Sequence, residues 1–422
     1  MSLMNSLIVI SRYLVISAIV VSCLPLNSAC NAQQPMELRW RKVTINDQSP
    51  FEACGVADFN GDGKRDIFCG DSWYEAPHWT RHKVRDVPPS PNPHYYEDFA
   101  DCPLDCNGDG RPDIVTCNYF GRRVGWVENP GGNSTAPWKE HTIDTPGSSE
   151  TGELMDINND GRLDFLPNVT GGMVVWYELV EQKPKVIWKK HPLGPEGAGH
   201  GVGVGDINSD GRLDVITSQG WYEQPADANT GRWVFHKEFN LGAASVLIHG
   251  RDVDGDGLTD IVWGMGHDFG LHWFKQSATT GGNREWTKRN IDTTFSQAHT
   301  LLWADLEGSG TPQLITGKRI YAHETEPGAT DKPCMYYFKF DRAATNAQGA
   351  WSRHVIYEGE PAKNAPAAAK DRWALKDFAR GSAGTGLQMS VTDIDGDGDL
   401  DIVCPGKSGL YLLENLRKET TR

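Results

Sequence analysis

Asp58-Phe59-Asn60-Gly61-Asp62-Gly63-Lys64-Arg65-Asp66 is the stretch on which the reading of this chain turns. Oxygen-bearing side chains stand at its positions 1, 3, 5 and 9, with glycine at position 6. A short loop surrounds a hard cation in this way: carboxylate, amide and carbonyl oxygens point inward, and glycine permits the tight turn. Intact copies also begin at Asp105, Asp156, Asp206, Asp252 and Asp393, and a worn copy begins at Asp305. One copy alone would read as an Asp/Asn/Gly turn. Six aligned copies predict about six calcium sites, because three or four carboxylates crowded into each loop would otherwise repel.

The predicted ligands are Asp58, Asn60, Asp62 and Asp66; Asp105, Asn107, Asp109 and Asp113; Asp156, Asn158, Asp160 and Asp164; Asp206, Asn208, Asp210 and Asp214; Asp252, Asp254, Asp256 and Asp260; and Asp393, Asp395, Asp397 and Asp401. The worn copy has Ser309 and Gln313 at positions 5 and 9 and is expected to be empty or weak. An EF-hand would carry a bidentate Glu at position 12 between helices. Here Cys69, Thr116, Pro167, Thr217, Trp263 and Cys404 stand at that place, and each loop runs directly into apolar residues such as Ile67, Ile114 and Val215. Each loop therefore joins two strands of a hairpin.

Each unit then continues with an aromatic strand, as in Trp73-Tyr74-Glu75, Trp126-Val127-Glu128, Trp176-Tyr177-Glu178 and Trp221-Tyr222-Glu223. A strand with Trp and His three residues apart follows, as in Trp79…His82, Trp138…His141, Trp188…His191 and Trp233…His236. The unit is a four-stranded meander, and loop-to-loop spacings run 46 to 53 residues apart from a last one of 88. Four-stranded units at this period read as blades of a β-propeller. Leu38–Ile45 matches a fourth strand with nothing before it, and Tyr411–Glu414 a third strand with nothing after it. The prediction is all-β: a single seven-bladed propeller over residues 36–416, its N-terminal strand completing the last blade, followed by a charged tail at 417–422. Such closure leaves no open edge strand. The Trp-x-x-His histidines recur on outer strands and are expected to be architectural.

The remaining composition agrees. A prior of about 150 residues per domain would divide 422 residues into two or three domains, but a repeat overrides it. The net charge of −15 argues against nucleic acid or an anionic membrane surface as partner. Arg12, an apolar run at 13–26 and small residues beyond it read as a signal segment over 1–32, with cleavage near Ala29 or Ala32. The run is shorter than the roughly 20 residues of a bilayer-spanning helix, so no transmembrane span is expected in the mature chain. Ala29-Cys30 also resembles a lipoprotein signal, although Asn27 stands where Leu is usual. The protein is expected to be exported: periplasmic, extracellular or lipid-anchored at the outer surface. Seven cysteines follow Cys30, and Cys54/Cys69 and Cys102/Cys117 flank the first two loops, where cross-hairpin disulfides are one option.

The loops resemble FG-GAP/VCBS repeats, the calcium-loop repeats of integrin α-subunit propellers and of many exported bacterial proteins. The resemblance spans nearly the whole mature chain. It implies the propeller and calcium, and leaves function open among adhesion, lectin and enzyme roles.

Strand direction then locates a face. First strands run toward the calcium loops, so residues about six positions before each loop ring the opposite mouth of the central channel, joined by residues just past the second strands. Glu52, Glu150, His200, His299, His267 and Lys318 are the candidate site residues there, with Arg319 beside them. Histidines and carboxylates suit an additional divalent metal such as zinc or manganese, and equally a general acid/base set. Long insertions at 86–97, with His94, Tyr95 and Tyr96, and at 359–385, with Trp373, map to the same face. The first functional expectation is a carbohydrate- or protein-binding mouth. The alternative is a sugar lyase or dehydratase similar in architecture to fungal aldos-2-ulose dehydratase. In it Glu150 or His200 would abstract a proton α to a carbonyl, a metal or Lys318 would stabilise the enolate, and His299 would protonate the leaving group.

Overall fold

The computed structural model describes residues 37–91, 95–131, 136–278, 283–320, 326–344, 350–362 and 381–418. The expected signal segment, Cys30, His94, Trp373 and most of the tail lie outside the described residues. The ordered elements among the described residues are strands, and no helix there is long and apolar enough to cross a membrane.

After β1 (Trp40–Asn46) come β2 (Gly55–Ala57), β3 (Asp66–Cys69), β4 (Ser72–Glu75) and β5 (Thr80–Lys83), an antiparallel meander. The pattern repeats in β6 (Cys102–Leu104), β7 (Asp113–Cys117), β8 (Val124–Glu128) and β9 (Lys139–Asp144), and again in β10 (Ser148–Met155), β11 (Asp164–Thr170), β12 (Val174–Glu181) and β13 (Ile187–Gly194). Next come β14 (Val202–Gly205), β15 (Asp214–Thr217), β16 (Gly220–Glu223) and β17 (Val234–His236), then β18 (Ile248–Arg251), β19 (Asp260–Gly264), β20 (Phe269–Ala278) and β21 (Arg284–Ser296). The series ends with β22 (Leu301–Ala304), β23 (Gln313–Gly317), β24 (Cys334–Phe340) and β25 (Trp351–Glu358), and with β26 (Ser390–Thr392), β27 (Asp401–Cys404) and β28 (Leu410–Asn415).

The sheets are those of a β-propeller with four-stranded blades. As the sequence predicts, β1 pairs antiparallel with β28, from Trp40 opposite Asn415 to Thr44 opposite Tyr411. Separate four-stranded sheets are found for five units, whereas β14–β21 form one eight-stranded sheet. The two meanders in it are joined by parallel pairing of β14 with β18, Gly203 opposite Ile248. Glycine is the reason. A Cβ on Gly203 would lie 1.6 Å from the Ile248 carbonyl oxygen, and one on Gly205 2.5 Å from Gly250 Cα, so only bare backbone approaches this closely.

Burial follows strand order. The second strands, such as β3, β7, β15 and β27, are buried along their whole length, while β5 on the rim is largely exposed. Apolar cores lie between consecutive meanders: Ile114 and Val127 pack with Phe68 and Trp73, Val215 and Tyr222 with Leu166 and Trp176. Ile67 and Tyr74 meet Val403 and Leu412 where the ends of the chain close.

The outer histidines are architectural. His82, His141, His191 and His236 stack on Trp73, Trp126, Trp176 and Trp221 with centroids 3.9–4.3 Å apart. Their Nε2 atoms lie 2.7–2.8 Å from Glu75, Glu128, Glu178 and Glu223. The cysteines differ from the disulfide option. All seven described cysteines are buried free thiols, and Cys54 Sγ, for example, contacts the Val403 carbonyl at 3.5 Å.

Candidate functional site

Each Asp-rich loop is first a hydrogen-bonded turn. In the first, Asp58 accepts the Gly61 and Gly63 amides at 2.7 and 2.8 Å, and Asp66 accepts those of Phe59 and Ala76 at 3.0 and 2.9 Å. The position-9 aspartates Asp113, Asp214, Asp260 and Asp401 clamp their hairpins in the same way. In the worn copy Gln313 Oε1 takes over this duty from the Leu306 amide at 2.8 Å. Burial pushes the position-9 carboxyls up, Asp66 to about 6 and Asp113, Asp164, Asp214, Asp260 and Asp401 to about 7, and acids earlier in each loop add to the effect. Carboxylates that hold protons so tightly favour a cation among them. The donor set fits calcium: oxygens of Asp252, Asp254 and Asp260, and of Asp393, Asp395 and Asp401, lie within 4.8 Å of one another.

The fifth loop has a feature the sequence reading missed. Lys275, at the place held by Glu75 in the first unit, reaches back to Asp254 and to Asp256, the latter at 2.6 Å. Lys339 does the same in the worn unit, 2.7 Å from Glu307.

At the opposite mouth, residues from distant units converge. Glu52 precedes β2, His200 precedes β14, His299 precedes β22, His267 lies between β19 and β20, and Arg319 follows β23. Glu150 sits in β10, where the register slips between Ser149 and Gly152. That bulge re-aims the side chain. The next residue, Thr151, has φ of 60°, a left-handed conformation that a β-branched residue adopts only under constraint.

Arg319 is the hub and is wholly buried. Its Nε and one Nη donate to the two Glu52 oxygens at 2.8 and 3.0 Å, and its other Nη donates to Glu150 Oε1 at 3.1 Å. Lys407 Nζ adds a contact to Glu52 at 3.4 Å. Glu150 Oε2 lies 3.2 Å from His200 Nε2, and Oε1 lies 3.7 Å from His299 Nε2. His200 Nδ1 meets the Ala244 carbonyl, and His267 Nδ1 meets Glu326 at 2.7 Å.

Burial raises the Glu150 carboxyl, but His200, His299 and Arg319 outweigh it and hold the group well below the usual carboxylate range. Glu52 is likewise lowered, burial being overcome by Arg319 and Lys407. Burial lowers His200, yet Glu150 more than compensates and raises it. His299 is held well below its ordinary value by burial and then Arg319, and His267 is lowered by burial and then His200. Of the three imidazoles, His200 alone is shifted toward holding its proton.

Glu150, His200, His267 and Thr170 line a cleft of about 240 Å³ together with Tyr95, Phe99, Tyr119 and Phe120. His299 lies behind, 1% exposed. Of the six predicted site residues, the structure brings together Glu52, Glu150, His200, His267 and His299. Lys318 donates elsewhere, to Ser296 Oγ, Gln297 Oε1 and the Gly328 carbonyl, and burial lowers it to about 8. Its neighbour Arg319 carries the carboxylates instead. Sequence reasoning missed Glu326, which lies in a long connection without a motif. It also missed Tyr119 and Phe120, whose position just past β7 was the available signal.

The sheets and loops define a β-propeller whose hairpins carry Asp-rich turns. Residues 105–166, spanning the second and third loops, match the model of the FG-GAP-like repeat, and the whole is consistent with an FG-GAP β-propeller. No curated protein matches the chain. Among solved structures, the crystal structure of BBS1N in complex with ARL6DN, soaked with lead, is similar at 12% identity and a TM-score of 0.49, covering 90% of this chain and 98% of that one.

Proposed function

We propose that this chain is an exported, calcium-stiffened propeller that binds carbohydrate at its channel mouth. In this reading the eight-stranded sheet counts as two blades that pair through glycine, which gives seven. Calcium would be held by the side chains at positions 1, 3, 5 and 9 of the intact loops, with position 9 also keeping the hairpin closed. It would neutralise the loop acids and add stability to the native ring.

The observation that carries the binding reading is the cleft itself. A cluster of aromatic rings, Tyr95, Phe99, Tyr119 and Phe120, lines it together with the polar Glu150, His200 and His267. A sugar presents the matching pair of surfaces, an apolar C–H face and a hydroxyl rim, and pockets of this kind use few polar groups to fix orientation. Oligosaccharide titration calorimetry tests it. Tyr119→Ala/Phe120→Ala should weaken binding by about 2 kcal/mol, roughly 30-fold, from lost apolar contact. Equal affinity in wild type and variant refutes this placement of the ligand.

The alternative, proton abstraction from a keto-sugar or uronate, is favoured by one observation: the constrained Thr151 beside Glu150, since backbone strain collects at functional sites. Against it, a carboxylate held so far below its usual range is a weak base. Glu150 is better suited to hold a charge than to take a proton.

A further inference from the structure

We infer that Glu150, His200, His267 and His299 form one binding site for a divalent transition metal of the zinc class, whose outer coordination face opens on the aromatic cleft. The inference rests on the carbohydrate reading only for what the metal meets there. Ligand nitrogens of the three histidines lie within 4.8 Å of one another. In a tetrahedral zinc site with bonds of about 2.0–2.1 Å, neighbouring donors lie about 3.4 Å apart. Glu150 Oε2 already matches this spacing, 3.2 Å from His200 Nε2, while the other oxygen, Oε1, is 3.7 Å from His299 Nε2. Closing the imidazoles onto a shared ion requires each donor to move by about 1 Å or less.

Three further observations point the same way. His200 and His267 each commit Nδ1 to a fixed acceptor, the Ala244 carbonyl and Glu326 Oε1. A neutral imidazole that donates through Nδ1 carries its lone pair on Nε2, and this outer-shell arrangement orients metal-binding histidines. Arg319 occupies Oε1 of Glu150 and leaves Oε2 facing His200. Gly266 leaves the space: a Cβ there would lie 2.8 Å from His200 Cε1 and 3.4 Å from His299 Nε2. Three imidazoles and one carboxylate favour zinc, cobalt or nickel over calcium, which prefers all-oxygen shells. Glu150, His200 and His267 line the cleft while His299 lies behind it. Ligand oxygens entering from the cleft side, such as the vicinal hydroxyl or hydroxy-carbonyl oxygens of a sugar, would therefore expand this four-ligand sphere to five or six.

The test uses the full chain with calcium in excess, stripped of transition metal by phenanthroline, which leaves calcium in place. Zinc is titrated calorimetrically and cobalt by its visible spectrum. One ion per chain is expected in the wild type. His200→Ala/His299→Ala should weaken uptake at least 100-fold, and Glu326→Gln, which removes only the negative charge from the acceptor of His267 Nδ1, about 10- to 100-fold. Circular dichroism and the calcium-dependent melt report folding. Should the double variant not fold, His267→Ala with Glu326→Gln decides. No zinc or cobalt uptake by the wild type, or equal uptake by folded variants, overturns the inference. Oligosaccharide titration of zinc-loaded and stripped protein separates the two claims. Sugar binding by a protein that takes up no metal rejects the metal site alone, and metal uptake without sugar binding rejects the carbohydrate reading alone.

Discussion

Replacing Arg319 by Met is the sharpest perturbation of this molecule, because the guanidinium neutralises two carboxylates brought from remote parts of the chain. The side chain is 0% exposed and makes three charge-assisted hydrogen bonds of 2.8, 3.0 and 3.1 Å. Methionine keeps much of the apolar stem and removes the charge. Breaking a buried ion pair from one side typically costs about 3–5 kcal/mol, since the abandoned charge stays desolvated. Lys407 at 3.4 Å from Glu52 and His200 at 3.2 Å from Glu150 recover part of this, which favours the lower half of the range. For the unit Leu38–Arg422, an unfolding entropy of about 2.1 cal/mol/K per residue sums to about 0.8 kcal/mol/K. The melting temperature should fall by about 4–5 °C, measured by scanning calorimetry at constant calcium. Glu52→Gln/Arg319→Met removes one of the two orphaned charges and should recover part of the loss. Arg319→Lys should fall between, because an ammonium cannot form the two-pronged contact. A single Arg319→Met variant melting within 1 °C of wild type would refute the argument that this residue holds the mouth together.

Two further outcomes follow from the loops. EGTA should lower the melting temperature and added calcium restore it, each occupied site contributing about 2.7 kcal/mol when free calcium is 100 times its dissociation constant; a melt indifferent to EGTA rejects the calcium reading. Lys275→Met should tighten calcium binding in the fifth loop, because the ammonium that meets Asp254 and Asp256 competes for the same oxygens. Identical calcium affinity of variant and wild type by titration calorimetry shows that Lys275 does not compete in the loop.

What was legible in the sequence is what is local. A nine-residue loop brings its own oxygens together through its own turn, so Asp58 to Asp66 and their repeats could be read directly, as could the four-strand period. The unpaired strands at the two ends implied the pairing of β1 with β28, because one strand from the start and three from the end complete one sheet. Strand direction also placed Glu52, Glu150, His200, His267 and His299 on one face. The tertiary structure decided the rest. Whether two neighbouring meanders remain separate or fuse, as β14 and β18 do, depends on how closely backbones approach across an interface, and Gly203 shows its role only with Ile248 opposite. That Arg319 rather than Lys318 carries the carboxylates depends on which way each side chain leaves the end of β23. The bond from Arg319 to Glu52 spans 267 residues of chain. A contact of that length is made by ring closure rather than by any local preference, so the residues of the mouth could be nominated from spacing, while their partners, charge states and shared cleft exist only in the folded ring.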